Sequence, residues 1–146
     1  MAAGALYSTF RLVPVTFRSA DDCYQVTAVR FFGIQGKKIA AASATNPGGN
    51  NPWTEKHSNL LDDNIHSKFL DFNIRPVEFT VNVGVSPMSY EWVTGNDFPE
   101  RDMLSWRLEG IFFATDADWT TLHTVSNYDT TQNRKTVVGP LSVRRE

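Results

Sequence analysis

Residues 90–121, YEWVTGNDFPERDMLSWRLEGIFFATDADWTT, constrain the fold of this chain more than any other stretch. They carry three of the four tryptophans, Trp92, Trp106 and Trp119, each in a short run that alternates apolar with polar residues. Successive side chains of a β-strand point to opposite faces, so such runs read as strands with one face buried. Between Trp92 and Trp106, residues 96–102 are dense in Asn, Asp, Pro, Glu and Arg and read as an ordered polar loop. A strand, a polar loop and two more strands in close succession are the signature of an antiparallel sandwich.

The same period recurs along the chain. Val77, Phe79, Val81 and Val83 fall on one face of a run whose other face carries Glu78, Thr80 and Asn82. Residues 25–34 alternate Val26, Ala28 and Arg30 against Thr27, Val29 and Phe31. Met88, Tyr90 and Trp92 repeat the pattern, as do Trp106, Leu108 and Gly110 opposite Arg107 and Glu109. Residues 6–18 are apolar and β-branched but broken by Pro14. Proline lacks the ladder N–H, so this run predicts an edge strand or a bend between two strands. Residues 119–125 and 136–143 complete the set, and NPGGNN before Pro52 is the strongest loop signal. A helical turn is expected only within 59–69, since no window of about 11 residues holds a 3.6-residue period. About eight short strands without helices predict an all-β, antiparallel jelly-roll sandwich. The 146 residues form one domain, spanning 1–146, large enough to bury roughly two-thirds of its unfolded surface.

Composition excludes several classes of function. Net charge is −2, and the 14 Lys and Arg are scattered, with Lys37-Lys38, Arg134-Lys135 and Arg144-Arg145 the densest groups. A nucleic-acid binder concentrates its cations into a stripe or pocket, so that class is set aside. Cys23 is the sole cysteine, which rules out an intrachain disulfide. The first residues lack the basic and apolar regions of a secretory signal. No run approaches the ~18 apolar residues of a transmembrane helix, and there is no Asn-x-Ser/Thr sequon. These features fit an intracellular or particle-associated protein, or a module cut from a longer chain. Catalysis finds no constellation either. His57, His66 and His123 lack zinc spacing and a cysteine cluster. Asp97, Glu100 and Asp102 share one loop, whereas glycosidase carboxylates flank a cleft from separate elements. Cys23 has no histidine partner by pattern, and no glycine-rich phosphate loop precedes a helix. The expectation is a protein that is not an enzyme.

Four segments, in order, carry a resemblance: SATNPGGNNP at 43–52, SNLLDDNIHSKFLDFN at 58–73, YEWVTGNDFPERDMLSWRLEG at 90–110 and DWTTLHTVSNY at 118–128. Together they resemble the discoidin family, the coagulation factor V/VIII C-type domains of the galactose-binding-like superfamily. There the matching features are an Asp-Gly-Asp turn ending in Thr-Lys-Trp, an Asn-Asp-x-x-x-Arg-Asp loop and a Ser-Trp-x-Leu-Glu-Gly strand. The resemblance implies an eight-stranded jelly roll whose loops at one end bind sugars, phospholipid headgroups or proteins, seldom with catalysis. It also implies a structural calcium ion at the first turn, held here by Asp62, Asn64 and Ser67. Calcium is served by hard oxygen ligands of that kind; the competing reading is a turn closed by side-chain-to-backbone hydrogen bonds. The chain departs from the family pattern at Asp63 (for Gly), Asn64 (for Asp) and Phe69 (for Trp). It departs again at 111–114, Ile-Phe-Phe-Ala, where the family has a short Ser-Asn-Asp-Gly hairpin.

Two functional readings follow. A sugar site needs an aromatic face and a few orienting polar groups. Trp53 is the candidate platform because it sits in a polar loop; its bland alternative is a lid on the sandwich end. His57 lies near it, Asn50 or Asn51 can add hydrogen bonds, and Asn96, Arg101 and Asp102 belong to the second polar loop. That loop either faces the ligand or is fixed internally by Arg101 forking onto Asp102 or Asp97. Trp92, Trp106 and Trp119 are assigned to the core. The second reading is an assembly protein that docks a partner through Phe112 and Phe113, since an apolar hairpin tip exposes surface unless something covers it. The alternative there is that one Phe caps the core.

Overall fold

The computed structural model describes residues 6–19, 22–61, 66–112 and 118–143; the side chains of Val83 and Phe112 also lie outside the description. It is an all-β antiparallel sandwich. Strand β1 is Tyr7–Phe17, followed by β2 Tyr24–Val26, β3 Ala28–Phe32, β4 Lys38–Ile39, β5 Ser43–Thr45 and β6 Phe69–Asp71. Then come β7 Val77–Val85, β8 Ser89–Val93, β9 Met103–Phe112, β10 Thr120–Val125 and β11 Val137–Ser142. A five-stranded sheet runs β10-β9-β1-β7-β5, a four-stranded sheet β11-β8-β3-β4, and β2 and β6 pair as a separate ribbon. Seven of the eleven strands run five residues or more; the other four, β2, β4, β5 and β6, have two or three residues and are too short to show a period. The helical content among the described residues is 3₁₀ turns at Ile34–Gly36, His57–Leu60 and Pro99–Arg101.

Alternation puts one face of each sheet into a common core. Phe10, Leu12, Val77, Phe79, Trp106 and Leu108 from the larger sheet meet Phe31, Tyr90 and Trp92 from the smaller one. The Trp92 and Trp106 rings pack edge to face at 5.4 Å and 89°, and Phe31 touches both Phe10 at 5.2 Å and Phe79 at 5.3 Å. Burying each such ring contributes on the order of 2–3 kcal/mol, so this aromatic seam clamps the sheets together.

Several expectations change in detail. Residues 25–34 do not form one strand: the chain leaves the β2–β6 ribbon and joins the four-stranded sheet at Thr27. Thr27 is buried there, its N–H donating to Val93 O at 2.8 Å and its hydroxyl to Thr94 O at 2.7 Å. Pro14 lies inside one continuous strand. Pairing with β7 ends at Leu12, so beyond it β1 has β9 alone as neighbour, and the proline costs no ladder bond on the open side. Met88 is half exposed and precedes β8. Trp119 is not in the core. It is half-buried just before β10 with the Arg11 guanidinium 4.1 Å above its ring, a surface cation–π pair.

Candidate functional site

The polar loops gather at one end of the sandwich, around the β2–β6 ribbon. Residues 46–57 are stitched to β6: Leu70 N–H donates to Glu55 O at 3.0 Å, Phe72 N–H to Asn50 O at 2.9 Å, and Asn51 Nδ2 to Leu70 O at 2.9 Å. Asp71 anchors the same region, its buried carboxylate accepting the N–H groups of Asn50, Asn73 and Arg75, each at 2.8 Å. At Gly49 an added Cβ would lie 1.7 Å from Asn46 Oδ1, so only glycine fits that turn. The consequence is an ordered loop that holds Trp53 in solvent, 83% exposed. Lys56 Nζ sits 4.1 Å over one face of the indole, which leaves the other face open.

The second loop joins from the far side. Lys135 N–H donates to Gly95 O at 3.0 Å and Thr94 N–H to Thr136 O at 3.0 Å, zipping 94–97 to 134–136. Gln25 Nε2 donates to Asp97 O at 2.5 Å and packs so closely that a Cβ at Gly95 would meet it at 2.4 Å. Lys68, only 8% exposed, donates to Gln25 Oε1 at 2.8 Å and to Asp97 Oδ1 at 2.9 Å. Burial of an ammonium is tolerable when it is paired and hydrogen-bonded in this way. Between the loops opens a polar cavity of about 200 Å³, lined by Thr27, Thr54, Glu55, His66, Ser67, Lys68, Asn96 and Lys135. Trp53 immediately precedes two of these residues.

The residues singled out from sequence separate clearly. Trp53 is exposed and Asn96 lines the cavity. His57 faces inward: its Nδ1 lies 2.8 Å from Ala44 O, and since a carbonyl only accepts, Nδ1 carries the proton and ties the 3₁₀ turn to β5. Asp102 does not face a ligand and does not pair with Arg101. It is fully buried, hydrogen-bonded to Arg18 Nη1 at 2.8 Å, to Arg134 Nη1 at 3.1 Å and also to Arg134 Nη2. Adjacent side chains diverge once the backbone is extended, as it is at Asp102. Arg101 instead lies with Cζ 4.2 Å over the Phe98 ring, its Nη1 3.5 Å from Gln25 Oε1. Asn51 spends its side-chain amide on Leu70 O in β6 and on Asn46 Oδ1, whereas Asn50 is held through its backbone N–H and carbonyl. Asp62 and Asn64 lie outside the described residues, while Ser67 lines the cavity; among the described residues no cluster of His, Cys, Asp or Glu is placed to hold a metal ion. Phe113 and the side chain of Phe112 also lie outside the description.

Lys68 and Lys135 escaped the sequence reading as site residues, although the Arg134-Lys135 pair stood out as a basic group. Burial pushes the Cys23 thiol up, which keeps it protonated and inert. At Asp97 burial alone would raise the carboxyl, but the hydrogen bond and charge of Lys68, with Gln25 and Arg101, bring it below its ordinary 3.8. A carboxylate with a lowered folded-state pKa contributes stability that is complete above 3.8 and is lost as pH falls through the lower value. Asp97→Asn is therefore expected to melt below the wild type at pH 7, with the gap closing as pH drops beneath 3.8. Melting curves that stay parallel to the lowest pH would show that the Asp97–Lys68 pair contributes nothing.

Among the described residues no helix is long and apolar enough to cross a membrane. No family model, curated protein or solved structure matches the chain.

Proposed function

We propose that the chain is a non-catalytic module that binds carbohydrate at the loop end of the sandwich. The observation that carries this reading is Trp53: a large aromatic side chain 83% exposed on a loop held by backbone hydrogen bonds, whose next two residues, Thr54 and Glu55, line a polar cavity. An exposed indole is poorly explained as packing, and its open face suits the C–H face of a pyranose ring. Thr54, Ser67 and Asn96 supply the hydroxyl and amide groups that fix a sugar's orientation. Because the loop is already ordered, little entropy is lost on binding. The resemblance to discoidin domains supports the same end of the molecule as the binding surface. A glycan array probed with the purified, folded chain is the test: reproducible binding to one class of sugar is expected, and a blank array contradicts the proposal.

A second reading, assembly, draws on a separate observation. An apolar groove of about 580 Å³ includes Leu6, Ile34, Ile39, Val81 and Val85 in its walls, and Ile34 is 71% exposed. Tyr7, next to Leu6, pairs with both Val85 and Phe112, so β9 ends across β1 from a wall of this groove. On this reading Phe112→Ser combined with Phe113→Ser changes the oligomeric state seen by light scattering after size exclusion. An unchanged monomer for both proteins rules out self-assembly through Phe112 and Phe113.

A further inference from the structure

We infer that the sugar recognised at the loop end is acidic, with a carboxylate or sulfate group received by Lys68 and Lys135. This rests on the carbohydrate reading of the site and specifies its ligand. The argument is one of donors and acceptors. An ammonium has three N–H donors and no acceptor. Lys68 uses two of its three, on Gln25 Oε1 and Asp97 Oδ1, has no third acceptor among the described residues, and lines the cavity. Being more than nine-tenths buried, it is reached only from the cavity, so that donor bonds to whatever fills it. Lys135 lines the same cavity and makes no ion pair among the described residues.

The backbone supports this placement. Lys135 has φ +52°, a left-handed conformation costly for a residue with a β-carbon, kept in place by its N–H bond to Gly95 O and the neighbouring bond from Thr94 to Thr136. Asn96 follows Gly95 directly and lines the same cavity as Lys135. Thr54 and Ser67 add hydroxyls, which donate as readily as they accept. Glu55 is the single carboxylate in the lining; Lys68 is paired with Asp97, and Lys135 is the lining cation without an ion pair among the described residues. A neutral sugar would satisfy the hydroxyl and amide groups but leave the third Lys68 donor without a strong acceptor. An oxyanion satisfies it with a charge-assisted bond, about twice as strong as a neutral one. Uronate carboxylates and sulfate esters share this chemistry.

The test is an array carrying neutral, uronate-containing and sulfated glycans, probed with wild type, Lys135→Gln and Lys135→Arg at two ionic strengths. Lys135 is exposed, and Gln and Arg meet the same backbone strain as Lys, so both variants are expected to fold; melting curves check this. The expected result is binding to acidic glycans that weakens at high salt. Lys135→Gln should lower affinity on the order of tenfold, and Lys135→Arg should restore most of it. Binding to uronates alone or to sulfated glycans alone identifies the group received and supports the inference. Binding confined to neutral glycans overturns the inference and leaves the carbohydrate reading standing. Acidic binding indifferent to both salt and Lys135→Gln overturns the placement, and no binding to any glycan overturns both.

Discussion

Asp102→Ala is expected to destabilise the protein by about 3–5 kcal/mol, the cost of removing one partner of a buried ion pair. The carboxylate is fully buried and joins three parts of the chain: Arg18 beyond β1, the 3₁₀ turn at Pro99–Arg101, and Arg134 in the loop before β11. Without it two guanidinium groups, at 20% and 21% side-chain exposure, lose their counter-charge. Arg18 would retain Pro99 O and Thr130 O, each at 2.5 Å, and Arg134 would retain Asp97 O at 3.1 Å. Carbonyl dipoles do not replace a carboxylate. Net stability of a domain is about 5–15 kcal/mol, so the variant is left marginal, with a melting temperature lower by roughly 10–15 °C. Arg134→Ala should cost less, because Asp102 keeps Arg18. A melting temperature within a degree or two of wild type for Asp102→Ala would show that this cluster does not hold the loop end together.

Trp53→Ala is expected to do the opposite: to weaken binding severely and leave stability alone. An 83% exposed side chain contributes little to folding, and substitutions at such positions usually change stability by less than about 0.5 kcal/mol. As the aromatic platform of a site it should behave as a hot spot worth about 2 kcal/mol or more, a loss on the order of thirtyfold in affinity. Lys56, which now lies over the ring, would lose its cation–π contact, an exposed interaction too weak to shift the melting curve noticeably. Unchanged glycan affinity in a well-folded Trp53→Ala protein would remove the platform from the account. A large fall in melting temperature would instead make Trp53 a structural lid.

The sandwich was legible because its signals are local. The alternation of Val77, Phe79 and Val81 and of Trp106 and Leu108 became one buried face, since a period of two is a property of neighbouring residues. What was not legible depends on partners distant in sequence. Thr27 reads as one more residue of a strand; only its bonds to Val93 and Thr94 show that the chain changes sheets there. Asp102 sits in a loop with its nearest cation at Arg101, yet it pairs with residues 84 and 32 positions away. Nothing local to Lys68 signals its burial, which follows from Gln25 and Asp97, 43 and 29 positions away. Trp119 followed the strand pattern by sequence but lies before β10, where Arg11 covers it from the sheet's outer side chains. The exposed Trp53 was readable because a tryptophan amid Asn, Pro, Thr, Glu and Lys belongs to no alternating run.

The proposed carbohydrate site is tested most directly by recording indole and backbone N–H spectra while titrating glucuronate, and separately a neutral hexose, to high concentration. The Trp53 indole signal, assigned from Trp53→Phe, should shift together with the amides of Thr54, Asn96 and Lys135, more strongly for glucuronate, while the buried Trp92 and Trp106 signals stay still. Shifts confined to the groove of Ile34 and Val85, or none with either sugar, would contradict a binding site at the loop end.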